Sequence, residues 1–146
     1  RRAGIAVEVV PGITSAIAVP AAAGIPVTHR GLSRGFSVIT AHADLGVLPQ
    51  RRDHTLILLM GVSRLRDSVV SLLEAGSDPA TPAAIIERGY HPDQRVTTTE
   101  LRCLADVAAR CGVTAPAVIV IGDVVTLSPY WADRVVEEAR PASPAA

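Results

Sequence analysis

The distribution of apolar and polar positions predicts that short strands alternate with helices along this chain. Apolar runs of five or six residues, bounded by Gly, Pro or polar residues, are typical of buried strands. The runs lie at 5–10, 36–41, 55–60, 83–87 and 117–121, and residues 95–99 are predicted as a further strand because they are rich in β-branched residues. Residues 123–127 are predicted either to continue the last strand or to pair with it.

Helical spacing separates several of these runs. Apolar residues after Ser63 recur three or four positions apart until Gly76, and a second stripe covers residues 101–111. Both patterns predict amphipathic helices. Nearer the start, Thr14 or Ser15 can cap a third helix, because a hydroxyl accepts a hydrogen bond from an unpaired helix amide.

The alternation predicts an α/β fold with a mixed, mainly parallel sheet covered by helices. We expect one α/β domain over residues 1–128 and a short helix with a disordered tail over residues 129–146. The chain begins with residues 1–4, Arg-Arg-Ala-Gly, and has no initial Met. This start is typical of the end of a helix, which predicts that the domain was cut from a longer protein.

Composition narrows the class of protein. The 146 residues are 49% apolar and only 3% aromatic, so Val, Ile, Leu and Ala must build the core. With 14 basic and 14 acidic residues, no overall field attracts nucleic acid or an anionic membrane. No apolar run is long enough to span a bilayer, and the start lacks the plan of a signal peptide. We therefore predict a cytoplasmic protein.

The types of basic and sulfur residues limit the chemistry. All 14 basic residues are Arg, which excludes Schiff-base lysine chemistry and suits bidentate recognition of carboxylates. A biased genome explains the same composition. Cys103 and Cys111 would lie roughly 12 Å apart on one helix, too far for a disulfide. The spacing of Cys and His residues fits no zinc site and no nucleophilic catalytic motif.

Candidate ligand contacts lie at the ends of three predicted strands, where α/β sheets bind ligands. Thr14 and Ser15 follow a Pro-Gly turn, Met60 and Gly61 end a buried strand, and a polar loop covers residues 87–95. Each has a plain structural alternative, namely a helix cap, a core methionine and a solvated loop. The residues by themselves predict only a ligand-binding α/β domain.

Five segments occur together in the order and spacing of a known family. They lie at 7–16, 23–30, 59–62, 87–95 and 116–122. Through them the chain resembles the tetrapyrrole methylase family, specifically the uroporphyrinogen-III C-methyltransferases, over roughly residues 3–127. The resemblance covers the second of that family's two α/β domains, and the glycine-rich segments of the first domain are absent. Tyr90 and His91 depart from the family, which usually has smaller residues there.

The resemblance implies a methyl-donor site and a substrate site. Thr14 and Ser15 would touch S-adenosyl-L-methionine, Met60 would pack near its adenosine, and Gly89 would let the loop backbone approach it. Pro116 and Ala117 would add a weaker wall. Arg30, assisted by His29, would face the carboxylates of uroporphyrinogen III. The resemblance implies no metal and no catalytic residue in this half.

The implied reaction is methylation of uroporphyrinogen III at C2 and C7 to precorrin-2, on the route to sirohaem or cobalamin. The resemblance also implies a homodimer and a missing amino-terminal domain, so this chain would be inactive alone. One alternative is another precorrin methyltransferase of the family, although the Thr28-His29-Arg30 triplet favours the uroporphyrinogen enzyme. The other is a non-catalytic α/β dimerisation module.

Overall fold

The computed structural model describes residues 3–41 and 45–135, and the elements below belong to these residues. The helices are α1 (Ser15–Ala22), α2 (Leu65–Glu74) and α3 (Leu104–Arg110). The strands are β1 (Gly35–Thr40), β2 (His54–Leu59), β3 (Pro82–Glu87), β4 (Arg95–Glu100) and β5 (Ala117–Ile121). Short 3-10 helices lie at Leu45–Val47, Val62–Arg64, Leu101–Cys103, Asp123–Leu127 and Pro129–Trp131.

The five strands form one sheet in the order β1-β2-β5-β3-β4. The α/β class and the mixed sheet are confirmed, whereas a mainly parallel sheet is wrong. β1 and β2 are parallel, and the other three neighbouring pairs are antiparallel. The loop from β3 to β4 is shorter than the roughly dozen residues of a parallel crossover. In addition, β5 inserts between β2 and β3 and runs against both.

Each face of the sheet carries its own core, because side chains alternate between the faces along a strand. On one face Leu58, Ile85 and Ile119 pack with α2 and α3. On the other face Ile57, Ile86 and Val120 pack with α1 and the 3-10 helix at 123–127. We call the second surface the α1 face. All of β3 is buried, as expected for a strand covered on both sides.

Two predicted strands do not form. Residues 5–10 have no regular secondary structure, and Ile5, Val7, Val9 and Val10 are 56–84% exposed. A strand needs a hydrogen-bonded neighbour, and none of the five paired strands adjoins this segment. Residues 123–127 form a 3-10 helix instead of a strand.

The predicted carboxy-terminal helix is described only in part. The structure shows a single 3-10 turn at Pro129–Trp131, and residues 136–146 lie outside the described residues. Cys103 and Cys111 form no disulfide, as predicted. None of the helices within residues 3–41 and 45–135 has the length and apolar character needed to cross a membrane.

An ion-pair clasp lies at the edge of the sheet where β2 begins. Arg52 Nη1 is 2.7 Å from Asp78 Oδ2, and Arg52 Nε donates to Asp123 Oδ1 at 2.8 Å. The clasp ties the start of β2 to the segments that precede β3 and follow β5. The clasp lies at the opposite end of the sheet from the residues where β2 and β3 end and β5 begins.

Candidate functional site

An open cavity of about 800 Å³ lies at the edge where β2 and β3 end and β5 begins. The antiparallel course of β5 brings its first residues to the ends of the other two strands. Side chains from α1, from the turn after β2 and from the loops around β3 and β5 complete the walls. The lining residues are Ser15, Val19, Leu59, Met60, Val62, Ser63, Ile86, Arg88, Gly89, Ala115, Pro116, Ala117 and Val118.

The cavity brings together three of the four predicted cofactor residues, Ser15, Met60 and Gly89. Pro116 and Ala117, predicted as a weaker wall, join them. Thr14 does not line the cavity. Its hydroxyl caps α1 by accepting a hydrogen bond from Ala16 N at 3.3 Å. The capping alternative thus describes Thr14, while Ser15, the next residue, faces the cavity.

Met60 is not a core residue. It is 63% exposed, so its packing does not explain its place at the end of β2. Its φ of +55° lies in the left-handed region, which disfavours any residue with a Cβ. At the following residue, Gly61, a Cβ would lie 2.8 Å from Ile119 Cδ1, so any side chain there would force Ile119 to shift. The turn therefore presents the Met60 side chain to the cavity.

Left-handed residues other than glycine cluster at this site. In the described part of the chain they are Met60, Arg88 (φ +48°) and Tyr90 (φ +65°). Two of the three line the cavity, and Tyr90 adjoins its Gly89 wall. Strained backbone of this kind concentrates at ligand sites, where the surrounding packing holds it in place. The clustering favours a binding role for this edge of the sheet.

Gly89 lacks a side chain for a reason that the sequence did not reveal. A Cβ at this position would lie 2.7 Å from both methyl carbons of Val19 on α1. The glycine therefore lets the loop after β3 lie directly on α1. The family resemblance implied the approach of a ligand as the reason for this glycine, and the structure adds helix packing.

The loop at 88–94 is braced by its own polar groups. Arg88 Nε lies 2.8 Å from Asp93 Oδ2, and His91 Nδ1 also contacts Asp93. Tyr90 N donates to Gln94 Oε1 at 2.8 Å, and Gln94 Nε2 donates to the Ala22 carbonyl at 3.3 Å. Residues 90–93 are exposed, so the loop is solvated as the structural alternative had it, and these contacts in addition fix its course beside α1.

A buried carboxylate supports the same loop. Glu87, the last residue of β3, is 0% exposed, and its Oε2 accepts from Arg95 Nε at 2.5 Å. Burial alone would raise the pKa of the Glu87 carboxyl, but the hydrogen bonds from Arg95 and Thr114 N lower it below its usual value. Sequence reasoning assigned this residue no role, although an acidic residue closing an apolar strand was the available signal.

The lining of the cavity is mostly apolar. Its polar side chains are the hydroxyls of Ser15 and Ser63 and the guanidinium of Arg88. An apolar pocket with a few polar groups is the usual form of a small-molecule site. Val19, Val62 and Ser63 were not predicted, because nothing in their local sequence marks them. Among the described residues, no group of His, Cys, Asp and Glu could hold a metal ion.

The predicted substrate residues lie elsewhere on the domain. His29 and Ser33 pair across a tight turn that contains Arg30, and both predicted residues are exposed. Ser33 Oγ accepts from Thr55 Oγ1 at 2.9 Å, which places the turn where β2 begins. Leu32 of the same turn packs on the α1 face. Arg30 and the cavity therefore share a face of the sheet but lie at opposite ends of β2.

Fold and cavity together define an α/β domain with a mostly apolar cavity, of the size of a small-molecule site, at the ends of its strands. A family model for tetrapyrrole (corrin/porphyrin) methylases matches residues 1–105. The chain belongs to the tetrapyrrole methylase family, as its sequence predicted.

Individual relatives agree with the family. An S-adenosyl-L-methionine-dependent uroporphyrinogen III methyltransferase of Methanosarcina barkeri (strain Fusaro / DSM 804) is 46% identical over 132 residues, covering 82% of this chain and 50% of that protein. A siroheme synthase of Thiobacillus denitrificans (strain ATCC 25259 / T1) is 36% identical over 150 residues, covering 97% and 31%.

A solved structure shares the fold. The uroporphyrin-III C-methyl transferase of Thermus thermophilus, complexed with S-adenosyl homocysteine, superposes with a TM-score of 0.72 at 37% identity, covering 85% of this chain and 54% of that one. The chain thus spans about half the length, or less, of these proteins.

Proposed function

We propose that residues 1–128 form the second domain of an S-adenosyl-L-methionine-dependent uroporphyrinogen-III methyltransferase. The observation that carries the proposal is the convergence of Ser15, Met60 and Gly89 on one cavity at the strand ends. The similarity to a uroporphyrinogen III methyltransferase and to an enzyme complexed with S-adenosyl homocysteine supports the same assignment.

The cavity suits the adenosine part of the methyl donor. Its volume of about 800 Å³ falls within the range of small-molecule sites, roughly 300–1,000 Å³. Leu59, Val118 and the exposed thioether of Met60 offer apolar surface to an aromatic base. The hydroxyls of Ser15 and Ser63 offer hydrogen bonds to the polar atoms of a nucleoside.

Uroporphyrinogen III would lie along the α1 face, between the cavity and Arg30. The register pairs Phe36 with Thr55 and Val38 with Ile57, so the side chains of Phe36 and Val38 lie on this face. They are 38% and 41% exposed. A guanidinium at the far end can hold a carboxylate through two parallel hydrogen bonds, and His29 would assist it.

The reaction is methyl transfer to C2 and C7 of uroporphyrinogen III, which gives precorrin-2 for sirohaem or cobalamin. The sulfonium of the donor supplies an activated methyl group, so this chain has to bind and orient the reactants. An amino-terminal domain would supply the remaining walls and the catalytic groups, and the enzyme would work as a cytoplasmic homodimer without a metal.

Assays of the complete enzyme and of the isolated chain test this proposal. We expect the complete enzyme to methylate uroporphyrinogen III twice and the isolated chain to show no turnover. The isolated chain should bind S-adenosyl homocysteine weakly in calorimetry, since each ~1.4 kcal/mol of lost contact costs tenfold in affinity. Micromolar binding by the isolated chain would contradict the division of the site. Methylation of a precorrin in place of uroporphyrinogen III would favour another member of the family.

A further inference from the structure

The buried Glu87 carboxylate joins two loops that both contribute to the cavity wall. Its Oε1 accepts from Arg95 Nη2 at 2.9 Å and from Thr114 N at 2.9 Å. Arg95 continues the connection by donating from Nη2 to the Gly112 carbonyl at 3.0 Å. One side chain at the end of β3 therefore meets both the start of β4 and the segment that leads into β5.

The same two loops also contact each other next to the cavity. Arg88 N donates to the Pro116 carbonyl at 3.0 Å, and Arg88 Nη1 donates to Thr114 Oγ1 at 3.4 Å. Arg88 and Pro116 both line the cavity, and Arg88 has a left-handed backbone. The hydrogen bonds of Glu87, which does not itself line the cavity, thus connect the two loops that form this part of the wall.

We propose that Glu87 is a positioning residue that fixes the loop at 88–94 against the segment at 112–116, and thereby shapes the wall that receives the methyl donor. The inference rests on the proposed function for the identity of the ligand. Glu87 itself does not line the cavity, so it acts through Arg88, Gly89 and Pro116. Its full burial requires that the Arg95 and Thr114 donors stay in place, since a buried charge without partners is costly.

The Arg52 clasp provides a matched control for this network. It also joins distant segments through a carboxylate and an arginine, and its Asp123 side chain is 21% exposed. It lies at the opposite edge of the sheet and lines no part of the cavity. Asp123→Asn therefore removes a comparable ion pair without touching the wall.

The first measurement is amide exchange in the complete enzyme without ligand. Glu87→Gln keeps the volume of the side chain but loses its charge. We expect it to speed exchange of the Thr114 and Arg88 amides by at least about tenfold, while amides in β1 and β2 stay within about twofold. Asp123→Asn should leave the Thr114 and Arg88 amides unchanged. A uniform rise through the sheet in Glu87→Gln would overturn the proposal, because it would show general destabilisation.

The second measurement is the affinity of each variant for S-adenosyl homocysteine. Glu87→Gln should raise Kd at least about fivefold, with kcat at saturating donor within about twofold, whereas Asp123→Asn should change neither. Arg95→Gln, at a side chain that is 43% exposed, gives the same test if Glu87→Gln does not fold. Arg95→Lys should give an intermediate Kd, because the ammonium keeps the charge and loses the fork.

The outcomes separate this proposal from the proposed function. Unchanged Kd in both Glu87→Gln and Arg95→Gln, beside normal binding by the wild type, would refute the positioning role. A wild-type enzyme that bound no S-adenosyl homocysteine would refute the proposed function. In that case the exchange comparison would still decide whether Glu87 holds the two loops together.

Discussion

Replacing Met60 by glycine should separate ligand binding from folding. Met60 directly follows β2, has a φ of +55° and leaves 63% of its surface exposed beside the cavity. Glycine adopts this backbone without strain, so Met60→Gly deletes the side chain and keeps the turn. Met60→Ala also deletes the thioether but retains a Cβ in the left-handed region.

The two free energies can be worked out from the exposure and the backbone. Fully burying a methionine side chain contributes about 1.5–3 kcal/mol, so the third of Met60 that is covered contributes about 0.5–1 kcal/mol. A left-handed backbone costs a residue with a Cβ about 1–2 kcal/mol, which glycine recovers in part against its greater chain entropy. The net change in the free energy of unfolding should stay within about 1 kcal/mol, or roughly 4 °C in Tm.

Ligand binding should suffer more than folding. If the methyl donor covers the exposed two thirds of Met60, the lost contact is worth about 1–2 kcal/mol. This corresponds to a rise in Kd of roughly 5- to 30-fold for S-adenosyl homocysteine. Met60→Ala should lose the same affinity and be less stable than Met60→Gly, since it keeps the backbone strain.

Calorimetric titration and thermal melting of the same complete-enzyme variants would measure both quantities. Val70→Ala is a suitable control, because Val70 is an exposed apolar residue of α2, 49% exposed, that does not line the cavity. It should leave Kd unchanged. A Met60→Gly variant that lost more than about 8 °C in Tm with unchanged Kd would refute the reasoning and make Met60 a structural residue.

Three further changes test other parts of the site. Gly89→Ala should destabilise the protein, because its Cβ would lie 2.7 Å from the Val19 methyl carbons. Adding Val19→Ala should restore much of the Tm, and failure of this rescue would refute the packing explanation. Arg30→Lys in the complete enzyme should leave Tm and donor affinity nearly unchanged. It should lower kcat/KM for uroporphyrinogen III at least about tenfold, because lysine cannot form the two parallel hydrogen bonds of a guanidinium. Wild-type kinetics would remove Arg30 from the substrate site. The lowered pKa of Glu87 adds stability that is present above its unfolded pKa and lost as pH falls through the folded pKa. Acid melts of the wild type should therefore lose stability more steeply than those of Glu87→Gln, and identical slopes would contradict this.

The sequence predicted well those strands that have a hydrogen-bonded neighbour on each side. The runs at 55–60, 83–87 and 117–121 correspond to β2, β3 and β5, which are neighbours in the centre of the sheet, where apolar residues on both faces are buried. Residues 5–10 have the same composition but no neighbouring strand among the described residues, so composition alone misled. Strand direction was equally invisible, because periodicity does not show that β5 inserts between β2 and β3.

The sequence predicted several residues that line the cavity, but it did not predict the contacts that place them there. Ser15, Met60 and Gly89 meet in one cavity, which their distance along the chain does not show by itself. The sequence left Met60 between core and ligand, and only its exposure and left-handed backbone decide between them. Val19 and Glu87 escaped notice because their importance comes from contacts with residues far away in the sequence.

The turns that follow β2 and β3 have the same arrangement of two adjacent residues. The first residue of each pair lines the cavity, and the second, a glycine, packs closely against a distant side chain. Each strand is followed by a left-handed residue and then a glycine, Met60-Gly61 after β2 and Arg88-Gly89 after β3. Each glycine is required by a distant side chain, Ile119 in the first case and Val19 in the second. The packing of the glycines helps to fix both turns, and it places the exposed Met60 at the cavity without help from burial of the Met60 side chain. Substitutions at the glycines should therefore appear first as lost stability, and substitutions at Met60 first as lost affinity.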